Sequence, residues 1–223
     1  SHDGVKDNET LDRLTSLLGF DAEERDQQKE YALMTGKIFD PVEEQQNPHT
    51  ALIEAGTGVG KTLGYLAPAS VWSEKNQASV WVSTYTKNLQ RQIDSELNRL
   101  YPDQDLKDRQ VAIRKGRENY LCLLNFEDLA GGAALARHPD HAIASGIMAR
   151  WIAASKDGDL SGADFPGWLI SLLGYKNTGA LADRRGECIY SACDHYHKCF
   201  VERSVRKARH ARIVVANHAL VMI

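Results

Sequence analysis

The eight residues Ala55-Gly56-Thr57-Gly58-Val59-Gly60-Lys61-Thr62 carry the groups in this chain best suited to chemistry. Their glycines allow backbone dihedrals that other residues resist, so successive N–H groups can turn inward and cradle phosphate oxygens. Lys61 then stands where it can reach the β- and γ-phosphates of a nucleotide such as ATP, and the Thr62 hydroxyl where it can ligate the bridging Mg²⁺. This is the P-loop pattern, with Ala55 where its strictest form has a first glycine. Such a loop needs a strand to deliver it and a helix to leave it, because the helix N-terminus adds partial positive charge at the phosphates. The apolar run Ala51-Leu52-Ile53 reads as that buried strand, and Leu63-Gly64-Tyr65-Leu66-Ala67 as the opening of the helix.

A second set of reactive residues lies far downstream. Cys122 is followed after sixty-five residues by Cys188, Cys193 and Cys199, with gaps of four and five residues between the last three. Four thiolates suit either tetrahedral zinc or an iron–sulfur cluster. Zinc sites usually show Cys-x-x-Cys knuckles, which this chain lacks, and long uneven spacings sit more naturally around a bulky cubane. His195 and His197 share the loop and could replace a cysteine in a zinc site; otherwise they are exposed loop residues.

The 223 residues are enough for one large domain or for one domain with an insertion, and 43% hydrophobic with 26% charged residues is an ordinary globular balance. No apolar run approaches a membrane span and the N-terminus lacks a signal-peptide core, so a cytoplasmic protein with no membrane partner is expected. The net charge of −3 does not by itself suggest nucleic acid. Its distribution says more: residues 1–50 carry twelve acidic and five basic side chains, residues 184–212 three acidic and eight basic. That asymmetry hints at a local anion-binding surface.

Around these sites the pattern alternates helix and strand. Leu11, Leu14, Leu17 and Leu18 fall at helical spacing before Gly19, and a second helix is predicted from about Ala22 to Ile38. Within it Arg25 and Gln28 form an Arg-x-x-Gln element some thirty residues before Lys61. A glutamine amide there can donate to one edge nitrogen of adenine and accept from its exocyclic amine. Ser79–Thr84 reads as a short buried strand that leads into a helix beginning near Tyr85. The junction, with Thr84, Thr86 and Lys87, can hold a nucleic-acid phosphate on hydroxyl, ammonium and backbone N–H groups, or be a plain capped helix. Further strands are predicted at 110–113 and 211–218, and a helix from His141 to Ser155. Between residue 117 and about 200 the alternation stops, which fits an insertion in an α/β domain better than two tandem domains.

The chain resembles the superfamily 2 iron–sulfur helicases of the XPD/DinG type, most closely the bacterial DinG branch. The resemblance rests on Ala55–Thr62, Ser83–Ile93, Lys115–Cys122 in the form Lys-Gly-Arg-x-Asn-Tyr-Leu-Cys, the three later cysteines, and Val214–Leu220 with its Asn-His-Ala-Leu. It implies an ATP-dependent helicase moving 5′ to 3′ on single-stranded DNA and opening forks, in repair or replication. It also implies a [4Fe-4S] cluster on Cys122, Cys188, Cys193 and Cys199, zinc being the alternative. The implied fold is a RecA-like motor domain, a parallel sheet with helices on both faces, interrupted by a mostly helical cluster domain. Residues 1–116 would be the N-terminal helices and the first part of the motor domain, 117–202 the cluster insertion and 203–223 the return. Arg203, Arg206, Lys207 and His210 share one helical face beside the cluster, where DNA contact competes with simple solvation.

The family follows Asn-His-Ala-Leu with an Asp-Glu-Ala-His box, whose Asp holds Mg²⁺ and whose Glu activates water, and then with a second motor domain. Neither is in these residues, so an N-terminal fragment is expected that alone hydrolyses ATP negligibly and cannot unwind. Two other functions compete. One is a nuclease, as in relatives with an N-terminal exonuclease domain, for which residues 1–24 are too few. The other is a metal-stabilised module that binds DNA or a partner, as in a CRISPR-type effector complex.

Overall fold

The computed structural model describes residues 2–19, 25–41, 48–134, 139–183 and 186–222. The chain divides into two compact units, residues 1–113 with 208–221 and residues 114–207 with 222–223.

The first unit is α/β. Its helices are α1 (Asp7–Leu18), α2 (Asp26–Gly36), α3 (Lys61–Asn76), α4 (Lys87–Leu100) and α5 (Gln104–Gln110). Its strands are β1 (Val80–Thr84), β2 (Val111–Arg114) and β3 (Ile213–Asn217), in the order β1-β3-β2. β3 runs parallel to β1, with Val80 opposite Ile213 and Thr84 opposite Asn217. A strand covered on both faces reads as a continuous apolar run, and Ile213-Val214-Val215-Ala216 is fully buried. Its side chains alternate between two cores. Ile213 and Val215 meet Leu66 of α3 and Ile93 and Leu97 of α4, whereas Val214 meets Ala112, Ala208 and Ala211.

α1, α2 and α3 pack through Leu14, Leu17, Ala32, Leu63 and Ala67. α1 ends at Gly19, in the left-handed region at φ 88°. α2 begins at Asp26 and continues as a 3₁₀ turn over Lys37–Phe39, so the helix predicted to Ile38 tightens in its last turn. The predicted start at Ala22 lies outside the described residues. Gly64 lets α2 come close: a Cβ there would stand 2.6 Å from the Tyr31 ring.

Two expectations about strands are corrected. Ala51–Ile53 is irregular rather than a buried strand, and Leu52 is fully exposed. Strands form by pairing, and none of the described strands pairs with this run. β1 is half-exposed rather than buried, with Trp81 at 49%, because it lies at an edge of the described sheet.

The second unit holds α6 (Leu123–Ala134), α7 (Pro139–Ala154), α8 (Leu169–Leu172) and most of α9 (Phe200–His210). Its core gathers Leu121, Met148, Leu169, Leu181 and Phe200 with their neighbours. The extended segment Tyr120-Leu121 makes isolated antiparallel bridges to Asp159 and Ala182. Buried charges are paired: Lys115 with Asp159, and Arg117 with Asp183 at 2.6 Å and Glu202 at 3.3 Å. An isolated buried charge would be far costlier than a paired one.

Candidate nucleotide and metal sites

The P-loop leaves residues 48–56 without regular structure, turns at 57–59 and enters α3 at Lys61. Gly58 and Gly60 take φ of 82° and 85°, the left-handed region that glycine reaches without strain. The Lys61 ammonium donates to the carbonyls of Ala55 at 3.0 Å and Gly56 at 2.7 Å, lying across the mouth of its own loop. Val59 and Thr57 complete the turn. Thr62 stands in the first turn of α3, close to the Tyr65 phenol. Burial dominates that phenol and pushes its pKa up to about 12, so it stays protonated.

Arg25 and Gln28 are brought to this loop. Arg25 donates to the Gly58 carbonyl at 2.7 Å, and the Gln28 amide, 3% exposed, donates to the Gly60 carbonyl at 2.9 Å. A Cβ on Gly60 would stand 2.1 Å from Gln28 Nε2. Spacing alone did not suggest this bracing role. Gly60→Ala therefore meets both a left-handed backbone and an occupied space, and nucleotide affinity is expected to fall about tenfold, read by titration of a fluorescent ATP analogue.

At the junction of β1 and α4, Thr86 is the helix cap, its hydroxyl accepting from Leu89 N at 3.2 Å. Thr84 is 5% exposed and donates to the Thr86 carbonyl at 3.3 Å, so its side chain shapes the turn, while Lys87 is exposed. Residues that follow β3 reach the same turn. Ser83 hydrogen-bonds His218, Asn217 Nδ2 donates to the Tyr85 carbonyl at 3.3 Å, and the rings of Tyr85 and His218 lie 6.1 Å apart. Sequence reasoning gave Asn217 and His218 no role. The available signal was their place at the C-terminal end of a parallel strand, where ligands of open α/β sheets bind.

Within the second unit, Cys122, Cys188, Cys193 and Cys199 all line one pocket, partly open to solvent, together with Asp183, Tyr190 and Glu202. Cys122 directly precedes α6 and Cys199 directly precedes α9, and each sulfur meets backbone N–H groups of the helix turn that follows it. Burial is the larger influence and raises both thiol pKa values, against the lowering effect of those donors. Cys188 Sγ accepts from Tyr190 N at 3.4 Å, across a turn in which Tyr190 has φ 51°. Arg117 lies over the Tyr190 ring at 4.9 Å while holding Asp183 and Glu202, so one guanidinium ties three walls of the pocket. Among the described residues, no three His, Cys, Asp or Glu side chains converge closely enough to hold a single metal ion.

His195 is paired with Glu127 at 2.7 Å. On α9, Arg206 donates to the His197 carbonyl at 2.9 Å and lies 5.9 Å from the Tyr196 ring. Arg206 therefore braces the cysteine loop, whereas Arg203 and Lys207 are exposed. The four cysteines line one pocket, and the arginine and lysine face is only partly outward.

No protein-family model matches the chain. Among curated proteins it is similar to the ATP-dependent DNA helicase YoaA of Haemophilus influenzae, 32% identical over 202 residues, which is 88% of this chain and 28% of the relative. YoaA of Escherichia coli is 35% identical over 177 residues, 76% of this chain and 25% of the relative. The 3'-5' exonuclease DinG of Bacillus subtilis is 30% identical over 179 residues, 79% of this chain and 18% of the relative. The chain spans about a quarter of the length of the curated relatives it matches.

Proposed function

We infer that this chain, which belongs to the family of DinG- and YoaA-type DNA helicases, supplies the nucleotide-gripping and metal-bearing part of an ATP-dependent motor. That motor moves 5′ to 3′ on single-stranded DNA and opens forks in repair or replication. The observation that supports this most is the convergence of four widely spaced cysteines on one pocket, in a chain that also carries a P-loop. A generic nucleotide binder has no use for the cysteine-lined pocket.

The loop residues Gly56 to Gly60 offer backbone N–H groups to the phosphates, and Lys61 exchanges its carbonyl partners for the β- and γ-oxygens. Thr62, in the first turn of α3, would offer its hydroxyl to Mg²⁺. The Gln28 amide has two N–H donors, so one can stay on the Gly60 carbonyl while the other reads adenine beside Arg25. Residues 1–223 contain no Asp-Glu-Ala-His, so alone they are expected to grip nucleotide and hydrolyse it negligibly.

The four thiols fit a [4Fe-4S] cluster better than zinc. Zn–S bonds of about 2.3 Å draw four sulfurs close around a point, whereas a cubane spreads its ligands over a wider core. When bound, such a cluster supplies iron–thiolate cross-links between distant segments and a redox couple. Cys122, Cys188, Cys193 and Cys199 would hold it, with Arg117 keeping their segments together. Arg203 and Lys207 then offer charge to a passing strand.

Protein purified without oxygen is expected to be brown, with a broad visible absorbance that fades on oxidation and is lost on Cys188→Ser. Colourless, zinc-replete protein would overturn the cluster. Absence of DNA-stimulated ATP hydrolysis by the full-length protein that carries these residues would overturn the motor.

A further inference from the structure

We propose that Tyr85 is a stacking platform for one base of a single-stranded nucleic acid, held rigid by the segment that follows β3. The proposal rests on the strand-binding reading above and adds a residue which that reading does not use. Tyr85 is 76% exposed, and it sits in a turn whose flanking threonine hydroxyls are both engaged by backbone groups. On one side Thr84 is buried, with its hydroxyl on the Thr86 carbonyl, and on the other Thr86 caps α4. The Tyr85 carbonyl accepts from Asn217 Nδ2 at 3.3 Å, and Asn217 Oδ1 in turn accepts from Ala219 N at 2.9 Å. His218, fixed by its hydrogen bond to Ser83, sets its ring 6.1 Å from that of Tyr85 at a tilt of 50°. The backbone is thus anchored from the neighbouring strand while the ring projects into solvent.

A single exposed aromatic on a floppy loop would call for no explanation. Here the ring stands at the C-terminal ends of two parallel strands, braced by a strap from the second. Its surroundings favour a nucleic acid over a protein. Residues 85–93 contain Lys87 and Arg91 and no carboxylate, and Lys87, Asn88 and Arg91 are all exposed on the first turns of α4. Every base has a π-face, so one aromatic serves any sequence, and the cations on the first turns of α4 suit the flanking phosphates.

The test is binding of a fluorescently labelled oligothymidine, with and without an internal abasic stretch, to the chain and to its Tyr85→Ala and Tyr85→Phe variants. For ordinary DNA, Tyr85→Ala is expected to weaken binding roughly tenfold and Tyr85→Phe to change it little. The abasic strand should bind the parent as weakly as the ordinary strand binds Tyr85→Ala, and that variant should no longer distinguish the two. Unchanged nucleotide affinity in Tyr85→Ala serves as the check that the unit remains folded. Strand affinity that ignores Tyr85→Ala, as expected of a ring that faces solvent or a protein, overturns the platform and leaves the motor reading standing. Equal losses on ordinary and abasic strands overturn it too. A parent chain that binds neither strand takes the strand-binding reading down with it.

Discussion

A Lys61→Ala chain should bind ATP about a hundredfold more weakly than the parent, with little change in thermal stability. In the loop the ammonium donates to two carbonyls, Ala55 at 3.0 Å and Gly56 at 2.7 Å. Those are neutral acceptors. A phosphate offers charged ones, and hydrogen bonds to charged partners contribute roughly twice as much as neutral pairs, about 1.5–3 kcal/mol each. Exchanging two neutral bonds for two such bonds gains about 1–1.5 kcal/mol each, or about 3 kcal/mol in all, which is roughly the hundredfold. Folding should suffer less, because the loop carbonyls that lose the ammonium can turn to water. Titration of a fluorescent ATP analogue reads the affinity and circular dichroism the melt. Undiminished affinity would mean that nucleotide sits elsewhere, and Lys61→Arg, which keeps the charge but not its point-like reach, should fall between the two.

Gly158→Ala should loosen the cysteine-bearing unit by roughly 2–5 kcal/mol. Gly158 has φ 66°, which disfavours any residue with a Cβ, and that Cβ would fall 2.3 Å from ring atoms of Phe200. Phe200 is 4% exposed in the core and cannot step aside into solvent. The damage would reach the cysteine-lined pocket from two directions. The Gly158 carbonyl accepts from Leu121 N at 2.9 Å, just before Cys122, and Phe200 directly follows Cys199. Urea denaturation followed by near-ultraviolet circular dichroism should show an early transition, and visible colour should decline with it. Nucleotide affinity should move little, since the P-loop belongs to the other unit. A parent-like melt would show that the Gly158 backbone and the ring have room to shift.

The P-loop was legible because its chemistry is local: glycine conformations, a lysine and a hydroxyl lie within eight residues. β3 was legible for a similar reason, since Ile213-Val214-Val215-Ala216 has no polar face to show to water. Ala51–Ile53 carries the same signature and yet is irregular. Apolar character records a wish to be covered, whereas a strand also needs a neighbour, and neighbours come from distant sequence. The convergence of four cysteines could be suspected from their number, but Leu181 accepting from Cys122 N, and Arg117 reaching Asp183 and Glu202, join segments 59 to 85 residues apart. Arg206 shows the same limit from the other side. Helical spacing put it on a basic face, and only the His197 carbonyl and the Tyr196 ring reveal that it is occupied in bracing a loop.

The outer side of β1 has a practical consequence for anyone handling this chain. Val80, Trp81 and Val82 present half-covered apolar side chains along a row of peptide groups at the rim of the described sheet. Such a rim is a template for strand addition by another molecule. Concentrated solutions should therefore self-associate through it, and Trp81→Lys, which places a charge on that rim, should keep the material monodisperse in light scattering without touching the phosphate loop.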